Sequence, residues 1–235
     1  MKKFLATLLA LTMALALVAC GGNNSAGTSG NDAGGANTSG DTAGDASGAA
    51  GGTFTIGVIG PLTGGNAIYG TNVANAAQIA VDEINALGGD VQFSLISEDD
   101  TGDAETAVNA YNALMDQGMQ ILLGTVTTGP ALAVVPYAYD ERVFTLTPSG
   151  SGDDVIEGND NVFQVCFTDS NQGSRSAQYI SENFDDPQIA IIYRNDDAYS
   201  QGIRDNFVAE AESRGMSIVY EGTFTEASQT DFNNQ

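Results

Sequence analysis

Thr127-Thr128-Gly129-Pro130 places hydroxyls and backbone donors ahead of a run that reads as helix, and proline is tolerated in a first helical turn. With the positive end of a helix dipole behind them, such donors suit a carboxylate. Plain capping of the helix by Thr128 would use the same residues. Pro148-Ser149-Gly150-Ser151 follows a short apolar run. Its hydroxyls and carbonyls can take the protons of an ammonium or donate to a carboxylate, and the same run also suits an ordinary turn. A third reactive position is Cys20, in Leu17-Val18-Ala19-Cys20, after Lys2-Lys3 and an apolar stretch over residues 4–18. A basic start, a short apolar stretch and small residues before a cleavage point make a secretory signal, and a Cys at the cut makes it a lipoprotein signal. The stretch, about 15 residues against the roughly 20 that span a bilayer, is too short for a transmembrane helix. Residues 1–20 are therefore expected to be removed up to Cys20, with more than one acyl chain there, because a single chain anchors only marginally.

Both lysines precede Cys20 and the chain has no histidine. That excludes a Schiff-base lysine, a phosphate-binding loop of the Walker type, a Ser-His-Asp triad and histidine-based zinc sites from the rest of the chain. An enzyme would need an acid pair or a metal, and no paired carboxylates stand out at an expected pocket, so none is expected. Arg142, Arg175, Arg194, Arg204 and Arg214 face 30 acidic residues, and the whole chain carries a formal charge of −23. Such a field opposes nucleic acid and anionic membrane surfaces. Glu98-Asp99-Asp100 and Asp103 lack the spacing of a calcium loop and read as a solvated acidic loop. Thr63-Gly64-Gly65 has no lysine to follow it toward a phosphate, and Asp196-Asp197-Ala198-Tyr199 reads as a helix start carrying favourable negative charge. Neither metal nor cofactor is expected. Cys166, in an apolar run over residues 163–167, reads as a buried, inert core thiol, and with Cys20 lipidated no disulfide can form.

These groups need a scaffold to hold them. Residues 21–52 are Gly, Ala, Ser, Thr, Asn and Asp, a composition that buries too little apolar surface to order itself, and are expected to be a tether. From residue 53 short apolar runs alternate with helical patterns. Strands are expected over residues 54–60, 91–96, 121–124 and 143–147. Between them, Val73, Ala76, Ala77, Ala80, Val81 and Ile84 mark a helix ending at Gly88-Gly89, and Ala104, Ala107, Val108, Tyr111, Leu114 and Met115 mark another ending at Gly118. A third covers residues 129–140, where Pro136 predicts a kink or an early end. Residues 149–161 are polar and read as a crossing to a second lobe. Strands over 162–167, 188–193 and 217–224, with helices over 172–183 and 199–215, follow, and residues 230–235 read as the opening of one more helix. Strands joined by helices of this length form parallel sheets covered on both faces. The expected organisation is α/β, with one lobe over residues 53–150 and a partial second lobe over 151–235 in a C-terminally truncated protein.

Thr55-Ile56-Gly57-Val58-Ile59-Gly60-Pro61-Leu62-Thr63-Gly64 with Tyr69-Gly70, Asp82-Glu83-Ile84-Asn85 with Gly88-Gly89, Asp99-Asp100 and Thr147-Pro148 together resemble the branched-chain amino-acid-binding proteins of ABC importers. Ala190-Ile191-Ile192-Tyr193 and Tyr199-Ser200-Gln201-Gly202 continue the resemblance, which covers residues 53–235. It implies a type I periplasmic-binding fold of two Rossmann-like lobes with parallel sheets, the second incomplete here, closing on an amino acid. It also implies that Thr128 and Ser151 bind the ligand's carboxylate and main-chain polar groups, and that the Ser149 carbonyl accepts from its ammonium. Tyr69 and Tyr199 would flank the ligand from opposite lobes. Ser149 and Ser151 stand where the leucine/isoleucine/valine binder has alanine and threonine, the family's acidic partner for the ammonium would lie beyond Gln235, and the first-lobe disulfide of some members has no cysteines here. The expected protein is an extracytoplasmic, lipid-anchored monomer that hands an apolar amino acid to ABC permease subunits, touching the membrane only through its lipid. A binder of urea or short amides and a ligand-sensing ectodomain remain the alternatives.

Overall fold

The structure, a computed structural model, describes residues 51–230 and 232. The expected signal with Cys20, and the tether up to residue 50, lie outside them. Strands β1 (Gly52–Gly60), β2 (Val91–Asp99), β3 (Ile121–Gly124), β4 (Phe144–Thr147) and β5 (Val162–Gln164) form one sheet in the order β2-β1-β3-β4-β5. Every pairing is parallel, in a register running from Gly52 opposite Val91 to Gly60 opposite Asp99 and continuing with Ile56 opposite Ile121. Val58, Ile59 and Leu122 are fully buried, as the central strands of a sheet covered on both sides must be.

Helices α1 (Ala67–Ala86), α2 (Ala104–Asp116) and α3 (Thr128–Asp140) make the crossovers. Ile59 and Leu122 pack with Ala107, Tyr111 and Leu114 of α2 and Val134 and Ala138 of α3 in the main core. Each large side chain buried there contributes about 1.5–3 kcal/mol. A smaller cluster of Ala131, Val135, Val155 and Val162 joins α3 to β5 and to a short 3-10 turn, Asp153–Val155. A second, two-stranded parallel sheet follows, β6 (Gln188–Arg194) against β7 (Ser217–Phe224). Its helices are α4 (Asp169–Asn183) and α5 (Ala198–Ser213). A Cβ on Gly173 would lie 2.5 Å from the Ile203 carbonyl oxygen and 2.7 Å from the Phe207 amide nitrogen, so glycine there lets α4 and α5 touch backbone to backbone.

Some of these expectations are corrected and others are refined. The strand at residues 162–167 is shorter and pairs with β4 of the first sheet, so the chain leaves that sheet after Gln164, not at residue 149. The apolar residues of that run suggest a strand, but only pairing decides which sheet receives it. The helix expected to end at Gly88-Gly89 is present as α1, which buries Gly70, Ala77 and Val81 and leaves Ala76, Ala80 and Ile84 exposed, because it packs chiefly on the edge pair β1 and β2. Helix α3 runs through Pro136 to Asp140, with Pro136 on its exposed face, where water can serve the Leu132 carbonyl that the missing N–H would have bonded. Residues 226–228 form a 3-10 turn, and the helix expected to open over residues 230–235 lies mostly outside the described residues. Cys166 lies past the end of β5 and is half-buried, and burial raises its thiol pKa. Among the described residues no helix is long and apolar enough to cross a membrane.

Candidate functional site

The carboxyl ends of β3 and β4 point the same way because the two strands are parallel neighbours, and their loops meet. Thr147 Oγ1 donates to the Thr125 carbonyl at 2.8 Å and accepts from the Gly150 amide at 2.8 Å. The Ser149 hydroxyl donates to the Val126 carbonyl. The amide of Ser151 donates to Thr128 Oγ1 at 3.2 Å. Thr128 and Ser151 are each only 3% exposed, so the contact is an enclosed one.

Helix α3 begins at this junction with Thr127 as its cap residue, yet no side chain caps it. Plain capping by Thr128 is therefore ruled out: its hydroxyl serves Ser151. The amides of the first turn keep the free donors that an anion needs. Among the described residues the Ser149 carbonyl accepts no hydrogen bond. Thr128, Ser149 and Ser151 are thus brought together. Tyr69, in the first turn of α1, is 61% exposed, and Tyr199, in the first turn of α5, is 39% exposed. No hydrogen bond or ring pairing ties either tyrosine to the Thr128–Ser151 junction among the described residues.

Asp169 was not singled out by sequence reasoning, which began its helix at residue 172. Thr168 caps α4 by accepting from the Asn171 amide, so Asp169 becomes the first helical residue. Its amide donates to the Ser151 carbonyl at 2.9 Å, and its side chain is only 2% exposed. Burial pushes its carboxyl pKa up, the adjoining Ser151 hydroxyl opposes the rise, and the charges of Asp153 and Asp197 add to it. Neither carboxylate oxygen, nor Ser151 Oγ, makes a hydrogen bond of proper geometry to the described residues. The signal that could have found Asp169 is the Thr-Asp pair at a helix start, a capping pattern that says nothing of burial.

The remaining acidic groups hold loops together. Asp99 accepts from the Leu62 and Thr101 amides, each at 2.8 Å, and from Thr63 Oγ1 at 2.6 Å, fastening the loop after β1 to the end of β2. Asp100 is fully buried and accepts from the Gly102 amide at 2.8 Å. The expected solvated acidic loop is in fact a structural turn, since the chain folds back over Asp100. Asp197 caps α5 through the Ser200 amide at 3.0 Å, and Asp153 holds the start of α4 by accepting from Ser170 Oγ at 2.6 Å.

Residues 53–235 match the periplasmic binding protein family. The chain belongs to that family. It is 36% identical to the Leu/Ile/Val-binding protein BraC3 of Rhizobium johnstonii over 73% of this chain and 47% of that one. The solved structure of the branched-chain amino acid transporter substrate binding protein LivJ from Streptococcus pneumoniae, in complex with isoleucine, superimposes with a TM-score of 0.70 at 31% identity, covering 77% of this chain and 52% of that one. A solute binding protein of an ABC transporter from Rhodopseudomonas palustris, in complex with 3,4-dihydroxy benzoic acid, shares the fold alone, at a TM-score of 0.67 and 20% identity over 74% of this chain and 47% of that one. The fold is that of the type I periplasmic binding proteins, and the chain spans about half the length of the curated relatives it matches.

Within this family fold, ligands are met beyond the carboxyl ends of parallel strands. The Thr128–Ser151 junction stands at that place, at the ends of β3 and β4.

Proposed function

We propose that this chain is the ligand-capturing part of an extracytoplasmic solute-binding lipoprotein of an ABC importer, and that its solute is an apolar amino acid of the branched-chain class. The observation that carries the reading is the uncapped start of α3 beside the Thr128 hydroxyl that receives the Ser151 amide: donors for a carboxylate stand next to acceptors for an ammonium, which is the recognition chemistry of a zwitterion. The names of the Rhizobium johnstonii relative and the isoleucine complex support the side-chain class. Thr128 and Ser151 would hold the main-chain polar groups of the ligand, the Ser149 carbonyl would accept from its ammonium, and Tyr69 and Tyr199 would cover its side chain once the cleft closes. Closure around a ligand draws on differential affinity for the closed state, so binding and hinge motion are coupled. Lipid on Cys20 would hold the protein at the membrane beside its permease.

Isothermal titration of the full-length protein with leucine, isoleucine, valine, glutamate, urea, acetamide and 3,4-dihydroxybenzoate tests the reading. Tightest binding of a branched-chain amino acid is expected. Tightest binding of urea, acetamide or the aromatic acid would overturn it.

A further inference from the structure

Ser151 sits between two glycines, Gly150 and Gly152, and all three are buried in the loop that follows β4. Each glycine is wedged in: a Cβ on Gly150 would lie 2.8 Å from Thr147 Oγ1, and one on Gly152 2.7 Å from Thr128 Cγ2. Glycine suits that fit, yet it leaves the backbone with more conformations than any other residue does. A Gly-Ser-Gly loop is therefore ordered by what surrounds it rather than by its own preferences.

Gln164, the last residue of β5, supplies that order. It stands opposite Thr147, the last residue of β4, and its Nε2 donates to the carbonyls of Gly150 and Gly152, each at 2.8 Å. A carbonyl oxygen only accepts, so the two contacts use both protons of the side-chain amide, which no carboxylate or thioether could offer. The Val155 amide also reaches the Gly152 carbonyl, at 3.2 Å, and the Cys166 thiol lies 3.7 Å from the Gly150 carbonyl as a weak donor. Of these donors Gln164 alone bonds both flanks of Ser151. Its Oε1 is buried with no partner among the described residues, an unfavourable state that the two bonds offset. The Gly150 amide is held by Thr147, the Ser151 amide by Thr128 and the Ser151 carbonyl by the Asp169 amide, so β4, β5, α3 and α4 all fasten this one loop.

We propose that Gln164 is a positioning residue: its side-chain amide clamps the carbonyls on either side of Ser151 and so holds Ser151 ready for the solute. This deepens the solute-binding reading above and rests on it. A loop ordered in advance spares the ligand the cost of ordering it, so Gln164 raises affinity through Ser151 without touching the ligand.

Two measurements on the full-length protein test the clamp: isothermal titration with leucine, and NMR order parameters of the backbone amides without ligand. Gln164→Met keeps the length of the side chain and removes both donors. It is expected to bind leucine about 10-fold more weakly. Its Gly150 and Ser151 amides are expected to fall from order parameters of about 0.85 toward about 0.6, with that of Leu122 in β3 unchanged. A role confined to folding would lower stability and leave both readings as in the wild type. That result overturns the inference, and so does weakened binding with unchanged order parameters. Gln164→Glu gives a rescue: its carboxyl carries no proton at pH 8 and one at pH 5, so its affinity relative to the wild type is expected to rise by about fivefold or more between them. Should Gln164→Met fail to fold by circular dichroism, this ratio decides; a rise supports the inference and a flat ratio overturns it. Wild-type protein that binds leucine while Gln164→Met binds it equally well overturns this inference alone. Wild-type protein that does not bind leucine overturns the solute-binding reading, and this inference with it.

Discussion

Gly202 lies so close to Asp169 that a Cβ there would stand 2.9 Å from Oδ2 and 3.1 Å from the Asp169 Cβ. This contact sets α5 directly against the buried carboxylate at the start of α4, so the two helices of the second sheet meet at the wall of the candidate site.

Gly202→Ala must therefore move either the carboxylate or the helix. A loss of about 1–3 kcal/mol in unfolding free energy is expected, the usual cost of overpacking an enclosed contact. Urea denaturation followed by circular dichroism measures it; a midpoint equal to that of the wild type would show that the contact yields without cost.

Thr128→Ala deletes the oxygen that receives the Ser151 amide and the hydroxyl proposed to meet the ligand. Ligand affinity is expected to fall by about 1.5–3 kcal/mol, the range for a hydrogen bond to a charged group. Thr128→Ser, which keeps the oxygen, should retain most of it. Titration of both variants decides the matter, and equal losses in the two would point to the methyl group instead.

Stability should fall as pH rises from about 4 to about 6. Burial pushes the Asp100 carboxyl up to about 6, the Gly102 amide opposes this, and the charges of Asp99 and Asp103 add to it. The unfolded chain titrates near 3.9, so across this window the folded state binds more protons than the unfolded state and its stability decreases with pH, by at most about 3 kcal/mol, then levels off. The raised Asp169 carboxyl acts with the same sign. Denaturant unfolding at half-unit steps between pH 4 and 7 should show a shallower slope for Asp100→Asn, and an unaltered slope would falsify the assignment to Asp100.

Cys20→Ser should move the protein from the membrane fraction to the medium or the extracytoplasmic fraction, because the thiol is the proposed lipid attachment point. Fractionation and immunoblotting read the outcome. Retention of the variant on membranes would exclude lipid on Cys20 as the anchor.

Much of the fold is legible in local patterns. The apolar runs of β1 and β3 announce strands buried on both faces, and the spacing of Ala107, Tyr111 and Leu114 places α2 on the core as the structure has it. Helix α1 shows where such reading stops. Ala76, Ala80 and Ile84 fit the helical period as well as Ala77 and Val81 do, yet they face outward, while Gly70, which periodicity ignores, makes the buried contact. Small residues carry little hydrophobic signal, and close packing against a backbone needs their lack of volume rather than their polarity.

The candidate site divides in the same way. Thr128, Ser149 and Ser151 were identifiable because a helix start and a strand end each leave backbone groups unsatisfied, a property of the local chain. Asp100 and Asp169 were not, since a carboxylate in a polar stretch looks solvated until something folds over it.

The sequence by itself determined the alternation of strands and helices, the acidic composition of the given residues, and the likeness to a known family, because hydrophobic periodicity, composition and motif order are written along the chain. Only the tertiary structure decided that β5 joins the first sheet, and that Thr128, Ser151 and Asp169, 23 and 18 residues apart in turn, share one enclosed junction. Strand partners and the burial of single polar groups depend on which distant segments pack together, and packing is a property of the assembled layers that no short stretch of residues contains.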